Sequence, residues 1–298
     1  MNCLCLAFAA VGMIGPIPAA SRNPADIVVE TIERSFTVQG RPVLWVKNAD
    51  GRIRVTAANQ QQVQIRAIKE VHGASGIDEA KQVAARVEVR IEQSGSRIRA
   101  EAVYPRGNFS LGRQPEPLVH FEITVPKASD MEAVNGDGDL EVDGLEGNIT
   151  AVTGDGALSL NNCAGNVQSQ TGDGELRIQG VRGEVLARSG DGSITVDGVI
   201  EALQSKSGDG RIRIKALPGS RVMRPWFVQS GDGDVRISLP EGFAANVDLS
   251  TSDGQIRVEH PIALERSTSE HKLAGKLNGG GNYFRIKTGD GDITIEKP

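Results

Sequence analysis

"NGDGDLEVDGLEGNITAV" (Asn135–Val152) is followed without a gap by "TGDGALSLNNCAGNVQSQ" (Thr153–Gln170) and "TGDGELRIQGVRGEVLAR" (Thr171–Arg188). With the aspartate of each Gly-Asp-Gly as a marker, Asp137, Asp155, Asp173, Asp191 and Asp209 follow at intervals of 18. Asp232, Asp253 and Asp290 continue at wider spacing. A fixed period near twenty residues is the signature of a solenoid, in which each repeat is one coil.

Aligning the coils gives columns. Two residues past the second glycine stand Leu140, Leu158, Leu176, Ile194, Ile212, Val235, Ile256 and Ile293; two positions on come Val142, Leu160, Ile178, Val196, Ile214, Ile237, Val258 and Ile295. The residues between are polar, so each coil carries a short strand with one buried face. A second strand follows, with Ile149, Val167, Val185 and Leu203 inward and the small Ala151, Ser169, Ala187 and Ser205 in the next column. Leu145, Cys163, Val181, Val199 and Leu217 fill a corner column, which makes Cys163 a small core hydrophobe. Glycine reaches positive φ without steric cost and aspartate tolerates the left-handed region, so the marker is expected to be a corner before it is chemistry.

Residues 26–130 lack the strict period. "LWVKNADGRIRVTA" from Leu44 repeats the marker loosely, and strands are expected at "QQVQIRAIKE", "ARVEVRIEQ", "SRIRAEAV" and "LVHFEITVP". A short helix fits Gly76 to Arg86, with Ser75 as N-cap, Asp78 completing a loose capping box, and Ile77, Ala80, Val83, Ala84 and Val87 on one face. Because an uncovered solenoid end exposes a strand edge, this region reads as a β-rich cap. "YFRIKTGDGDITIEKP" (Tyr283–Pro298) is expected to close the other end. Two insertions, "RVMRPWF" (Arg221–Phe227) and "PIALERSTSEHKLAGKLNGGGN" (Pro261–Asn282), leave the stack as loops covering an open side of the core.

The first residues, "MNCLCLAFAAVGMIGPIPAASRNP", combine an apolar run with small residues at Ala19, Ala20 and Ser21, the pattern of a cleaved signal peptide. Cleavage would leave Cys163 alone and no disulfide within the mature monomer. Aromatic residues make up only 4% of the chain, against 36 glycines, which favours turns and an aliphatic core over a deep aromatic-lined pocket. The net charge of −5 gives no general reason to expect nucleic-acid binding.

These features resemble the bacterial putative-adhesin family of β-strand-repeat envelope proteins, a domain of largely unknown function. The resemblance rests on "TGDGELRIQGVRGEV" and its sister coils, the opening "LWVKNADGRIRV" and the closing "GKLNGGGNYFRIKTGDGDITI", and covers about residues 35–298. It implies an adhesive or structural envelope role; separately, no cofactor is expected.

Two other chemistries are weighed. Stacked marker aspartates at the strand spacing of ~4.8 Å repel one another and would welcome calcium, but the second corner ("DGLEG", "NNCAG", "QGVRG") carries no matching aspartate and calcium needs six to eight oxygens. A polysaccharide-active enzyme needs carboxylates paired across a groove, and no pair stands out among so many regular aspartates. His72, His120, His260 and His271 show no ligand spacing.

One outward column does stand out. Arg177, Arg213, Arg236 and Arg257 lie between the buried columns, the last three on successive coils, with Arg211 and Lys215 beside Arg213. Such a ladder suits a carboxylated or phosphorylated polymer, unless Glu175, Asp234 and Glu259 pair with it as ordinary cross-strand charges. The sequence therefore predicts an all-β, single-stranded β-solenoid of about 18-residue coils: a signal peptide (1–21), a β-rich cap carrying one short helix (26–130) and the repeat domain (131–298). It is read as a non-catalytic, extracytoplasmic binding protein. The candidate binding residues are Arg211, Arg213, Arg236 and Arg257, no metal site is assigned, and the expected partner is an acidic envelope polysaccharide or an envelope protein.

Overall fold

The computed structural model describes residues 26–105, 115–264 and 269–298; the leader expected at residues 1–21, with Cys3 and Cys5, lies outside them. The chain forms β1 (Asp26–Thr37), β2 (Val43–Lys47), β3 (Ile53–Ala58) and β4 (Gln62–His72), then a helix, α1 (Ile77–Ala84), then β5 (Glu88–Ser94), β6 (Arg97–Val103) and β7 (Glu116–Pro126). The strict repeats give β8 (Asp130–Val134), β9 (Leu140–Asp143), β10 (Glu146–Val152), β11 (Leu158–Asn161), β12 (Ala164–Thr171), β13 (Leu176–Ser189), β14 (Ile194–Lys206) and β15 (Ile212–Ala216). Beyond them come β16 (Trp226–Gln229), β17 (Val235–Ser238), β18 (Ala245–Ser250), β19 (Ile256–Val258), β20 (Ile262–Leu264), β21 (Lys272–Leu277), β22 (Tyr283–Lys287) and β23 (Ile293–Glu296). Among the described residues α1 is the only helix, and the fold is nearly all β and solenoid-like.

Parallel pairing sets each repeat on the next. Leu158 is flanked by Leu140 and Leu176 on one side of the coil, and Val167 by Ile149 and Val185 on the other. The strands after the markers form one face, here the marker face, and those before them form the return face. β13 and β14 run round the second corner without a break and belong to both. The inward columns are buried throughout except at Ile256 and Val258, which are half-buried on the last coil. In the corner column the register slips by one, Val181 pairing with Gly198 in place of Val199, until a bulge between Gly183 and Glu184 restores it; Val199 is only half-buried and Ile200 is buried. Leu217 is likewise only half-buried.

The glycines of the marker serve a purpose other than the expected one. Among those of Asp137 to Asp290 none has positive φ; Gly51, in the loose marker, does, at 104°. They are glycines because consecutive coils touch there: a Cβ on Gly156 would run into the carbonyl of Gly138, and one on Gly174 into that of Gly156. Positive φ belongs to the second corner, as at Gly144 (75°) and Asn162 (53°).

The residue before each marker glycine forms a buried polar line that the column reading passed over. Thr153 Oγ1 lies 2.9 Å from the Gly138 carbonyl oxygen, Thr171 Oγ1 3.1 Å from that of Gly156, Ser207 Oγ 2.9 Å from that of Gly192, and Thr288 Oγ1 2.9 Å from that of Gly233. Each hydroxyl donates across to a carbonyl of the neighbouring coil, satisfying an acceptor that close stacking removes from water.

Both ends depart from a simple stack. Parallel pairing crosses the boundary expected between residues 130 and 131: β2 lies between β8 and β6, and β3 between β9 and β7. Outside these, β5 adds to β6, and β4 and then β1 add to β7, all antiparallel. β1, twelve residues long, was not foreseen. Helix α1 starts from Gly76 without a side-chain cap; Ser75 instead binds Glu79, its N–H and Oγ lying 2.7 and 2.6 Å from Oε2. Ala80, Val83, Ala84 and Val87 are buried as expected, while Ile77 is 47% exposed.

At the other end the final coil does not close the stack. β22 inserts between β16 and β18, and β23 between β17 and β19. The insertion brings Phe284 against Trp226 and Phe243, with ring centroids 5.3 and 6.3 Å away and Trp226–Phe243 at 5.1 Å. This aromatic cluster fills the core and gives the late coil its place. The outer edge is β19 on the marker face. On the return face β21, pairing antiparallel with β18, and then β20 cover the edge, so part of the second insertion is a lid on the stack.

Candidate functional site

On the marker face, Arg213, Arg236 and Arg257 each sit between two inward residues (Ile212 and Ile214, Val235 and Ile237, Ile256 and Val258), and the strand period of two turns them outward. Register pairs Arg213 with Arg236, Arg236 with Thr294, and Thr294 with Arg257. The three arginines are therefore not on successive coils: the inserted β23 puts Thr294 between the second and third. Arg177 is separated from Arg213 by Thr195 and is held by Glu175 at 2.6 Å, outside the group.

Arg211, Arg213, Arg236 and Arg257 line one depression of about 200 Å³ with Asp234, Asp292 and Thr294. The two aspartates have a structural task. Asp234 Oδ1 accepts the Asp292 backbone N–H at 3.0 Å, and Asp292 Oδ1 accepts that of Gln255 at 2.8 Å. What remains for the cations is weak: Arg211 Nε to Asp234 Oδ2 at 3.9 Å, Arg236 Nε to Glu296 Oε2 at 3.8 Å, and Arg257 bonded to the neutral Gln255 at 3.0 Å. Arg213 forms no ion pair among the described residues. The expected partner Glu259 instead accepts the Lys297 backbone N–H at 3.3 Å. Adjacent, poorly neutralised guanidiniums repel by about 1 kcal/mol per close pair when solvated, and an anion in the depression would relieve that. The column gave Arg213, Arg236 and Arg257 from the sequence; Thr294 and Asp292 were missed because only the insertion of β23 brings them there.

Among the described residues the groups weighed for calcium and for catalysis are not gathered at one place. Asp137, Asp155, Asp173, Asp191 and Asp209 are exposed, and among the described residues no three His, Cys, Asp or Glu side chains are placed to hold a metal. Glu70 Oε1 lies 3.1 Å from His72 Nε2 and its Oε2 3.7 Å from His120 Nε2; burial holds His120 below the ordinary imidazole range, against the opposing charge of Glu70. His260 and His271 meet backbone carbonyls. Cys163 is buried and its thiol is pushed up to about 11 by burial, a core residue and not a nucleophile. Residues 218–223 line a shallow groove of about 570 Å³ with Pro240, Phe243 and Asn282.

The profile of a family described as Toastrack DUF4097 matches residues 44–296. No curated protein matches. Among solved structures, one named a "putative adhesin" from Bacteroides fragilis aligns at 11% identity over 89% of this chain and 97% of that one, with a TM-score of 0.38. A "putative lipid binding protein" from Parabacteroides distasonis aligns at 10% identity over 90% and 97%, TM-score 0.39. A "putative cell adhesion protein" from Clostridium sporogenes aligns at 14% over 90% and 100%, TM-score 0.26. Likenesses this distant carry no argument about what is bound.

Proposed function

We propose, for this chain, which belongs to the Toastrack DUF4097 family, a non-catalytic binding role in the cell envelope, in which the arginine depression takes the carboxylate or phosphate groups of an acidic envelope polymer. The observation that carries this reading is the pairing of Arg213 with Arg236, two outward guanidiniums side by side with little to neutralise them. A guanidinium offers a planar fork of donors to a carboxylate or phosphate, and two of them one strand apart, ~4.8 Å, with a third two strands further on, fit an anion-bearing chain better than a single small ion. The leader expected at residues 1–21 agrees with an extracytoplasmic site, and among the described residues no helix is long and apolar enough to cross a membrane.

The test is co-sedimentation of the protein with isolated envelope polymers, in calcium and in chelator, beside the variant Arg213→Gln/Arg236→Gln/Arg257→Gln. Metal-independent binding that the variant loses supports the reading. Unchanged binding by the variant removes the depression as the site, binding only in calcium moves attention to the marker aspartates, and release of new sugar ends would make the protein an enzyme.

A further inference from the structure

The return face carries a different set of groups. Parallel register aligns Gln170, Arg188 and Lys206, then Gln229 and Lys287, all exposed, with Lys272 two strands further on beyond Ser250. Arg188, Lys206, Lys287 and Lys272 form no ion pair among the described residues. From Lys206 onward the cations fall on every second strand, about 9.6 Å apart at the usual strand spacing. In the row beside them Phe227 lies between Gln204 and Arg285 and is 42% exposed. Tyr283, 62% exposed, is its diagonal neighbour, at roughly 7–8 Å for that relation. Two large aromatics thus stand together on a surface whose other outward groups are mostly amides and cations, with Leu186 half-buried between Gln168 and Gln204. The two acids on these rungs, Glu184 and Asp248, are already held by Arg224 and Arg285.

We propose that this outward return face is a second binding surface, fitted to an acidic polysaccharide strand laid along the stack, and that one molecule thereby engages two polymer segments on opposite faces. Phe227 and Tyr283 offer flat apolar rings to the C–H faces of sugars. The glutamines Gln168, Gln170, Gln204 and Gln229 both donate and accept, as sugar hydroxyls do. The cations on alternate strands meet carboxylates on a repeating chain. A membrane surface calls for a broader apolar face, and single-stranded nucleic acid for a stacking ring at successive bases; two rings among amides match neither as well. The surface shares no residue with the arginine depression, so binding on the return face stands or falls separately, while the engagement of two segments rests also on the function proposed for the depression.

The test is calorimetric titration of the full chain with oligogalacturonate, with neutral dextran, a thymidine oligonucleotide and phosphatidylglycerol vesicles alongside. Two return-face variants, Phe227→Ala/Tyr283→Ala and Lys206→Gln/Lys287→Gln, are compared with Arg213→Gln/Arg236→Gln. The expected result is that the wild type takes up oligogalacturonate at two sites and that each return-face variant weakens one of them at least about tenfold, with melting temperature unchanged. Arg213→Gln/Arg236→Gln should keep the site that those variants lose. The proposal is overturned if the return-face variants bind as the wild type does, if the Arg213→Gln/Arg236→Gln variant binds no oligogalacturonate, or if the oligonucleotide or the vesicles bind this face better than the acidic sugar. Loss of the other site alone, in Arg213→Gln/Arg236→Gln, reports on the depression.

Discussion

Arg236 on β17 is paired in register with Thr294 on β23, so a threonine, and not a third arginine, stands between Arg236 and Arg257. Thr294→Glu would place a carboxylate between two guanidiniums and occupy them from within. Such an exposed pair is worth about 0–1 kcal/mol, so thermal stability should hold or rise slightly. Affinity for an acidic polymer should fall about fivefold or more, and Thr294→Lys should raise it. Titrations at two ionic strengths decide this: equal affinity for all three proteins would remove the depression from binding.

The hydroxyl line between coils should matter for stability. Thr171→Val keeps the shape but removes the hydroxyl 3.1 Å from the Gly156 carbonyl, while the Gly154 carbonyl keeps the Gly172 backbone N–H. An unsatisfied buried acceptor costs about 1–3 kcal/mol, which should lower the urea midpoint, while Thr171→Ser should keep most of it.

Within one marker the glycine and the aspartate should separate cleanly. Gly156→Ala drives a methyl into the Gly138 backbone, an overpacking expected to cost about 1–3 kcal/mol. Asp155 is exposed, and Asp155→Ala should change stability by no more than about 0.5 kcal/mol. Chelator should move the melting temperature by less than about 1 °C, since among the described residues no three His, Cys, Asp or Glu side chains are placed to hold a metal. A large chelator effect would restore the aspartates to a functional part.

Asp50 gives a pH signature. Burial, then the charges of Asp137 and Glu116, raise its carboxyl above the ordinary range. A raised acid binds its proton more tightly folded than unfolded, so its contribution favours the fold at low pH and is lost as pH rises through the folded value. Asp50→Asn should therefore stabilise the protein at pH 7, with the gain shrinking as pH falls toward 4. Paired unfolding curves at the two pH values check the sign.

Cys163, with a thiol near 11 and a buried side chain, should resist iodoacetamide at pH 8 until denaturant opens the stack. Labelling of the native protein at the rate of a free thiol would show that the corner opens.

Much of the fold is written locally. The interval from Asp137 to Asp209 gave the coil, and the alternation in "DLEVD" and "SITVD" gave buried Leu140, Val142, Ile194 and Val196 and turned Arg213 and Arg236 outward. Each of these is a relation within one coil or between identical positions of consecutive coils, and a period carries both. The purpose of the marker glycines and of Thr153, Thr171 and Ser207 was not legible in the same way, because it concerns the distance between coils and not the path of one. Tertiary structure alone settled the order at the ends, where β2 and β3 are enclosed by β6 and β7 and where β22 and β23 return between earlier strands. A strand edge can accept any strand of compatible register; what selects one is the burial it brings, here Phe284 against Trp226. That choice placed Thr294 and Asp292 beside the arginines, and Phe227 beside Arg285 on the opposite face.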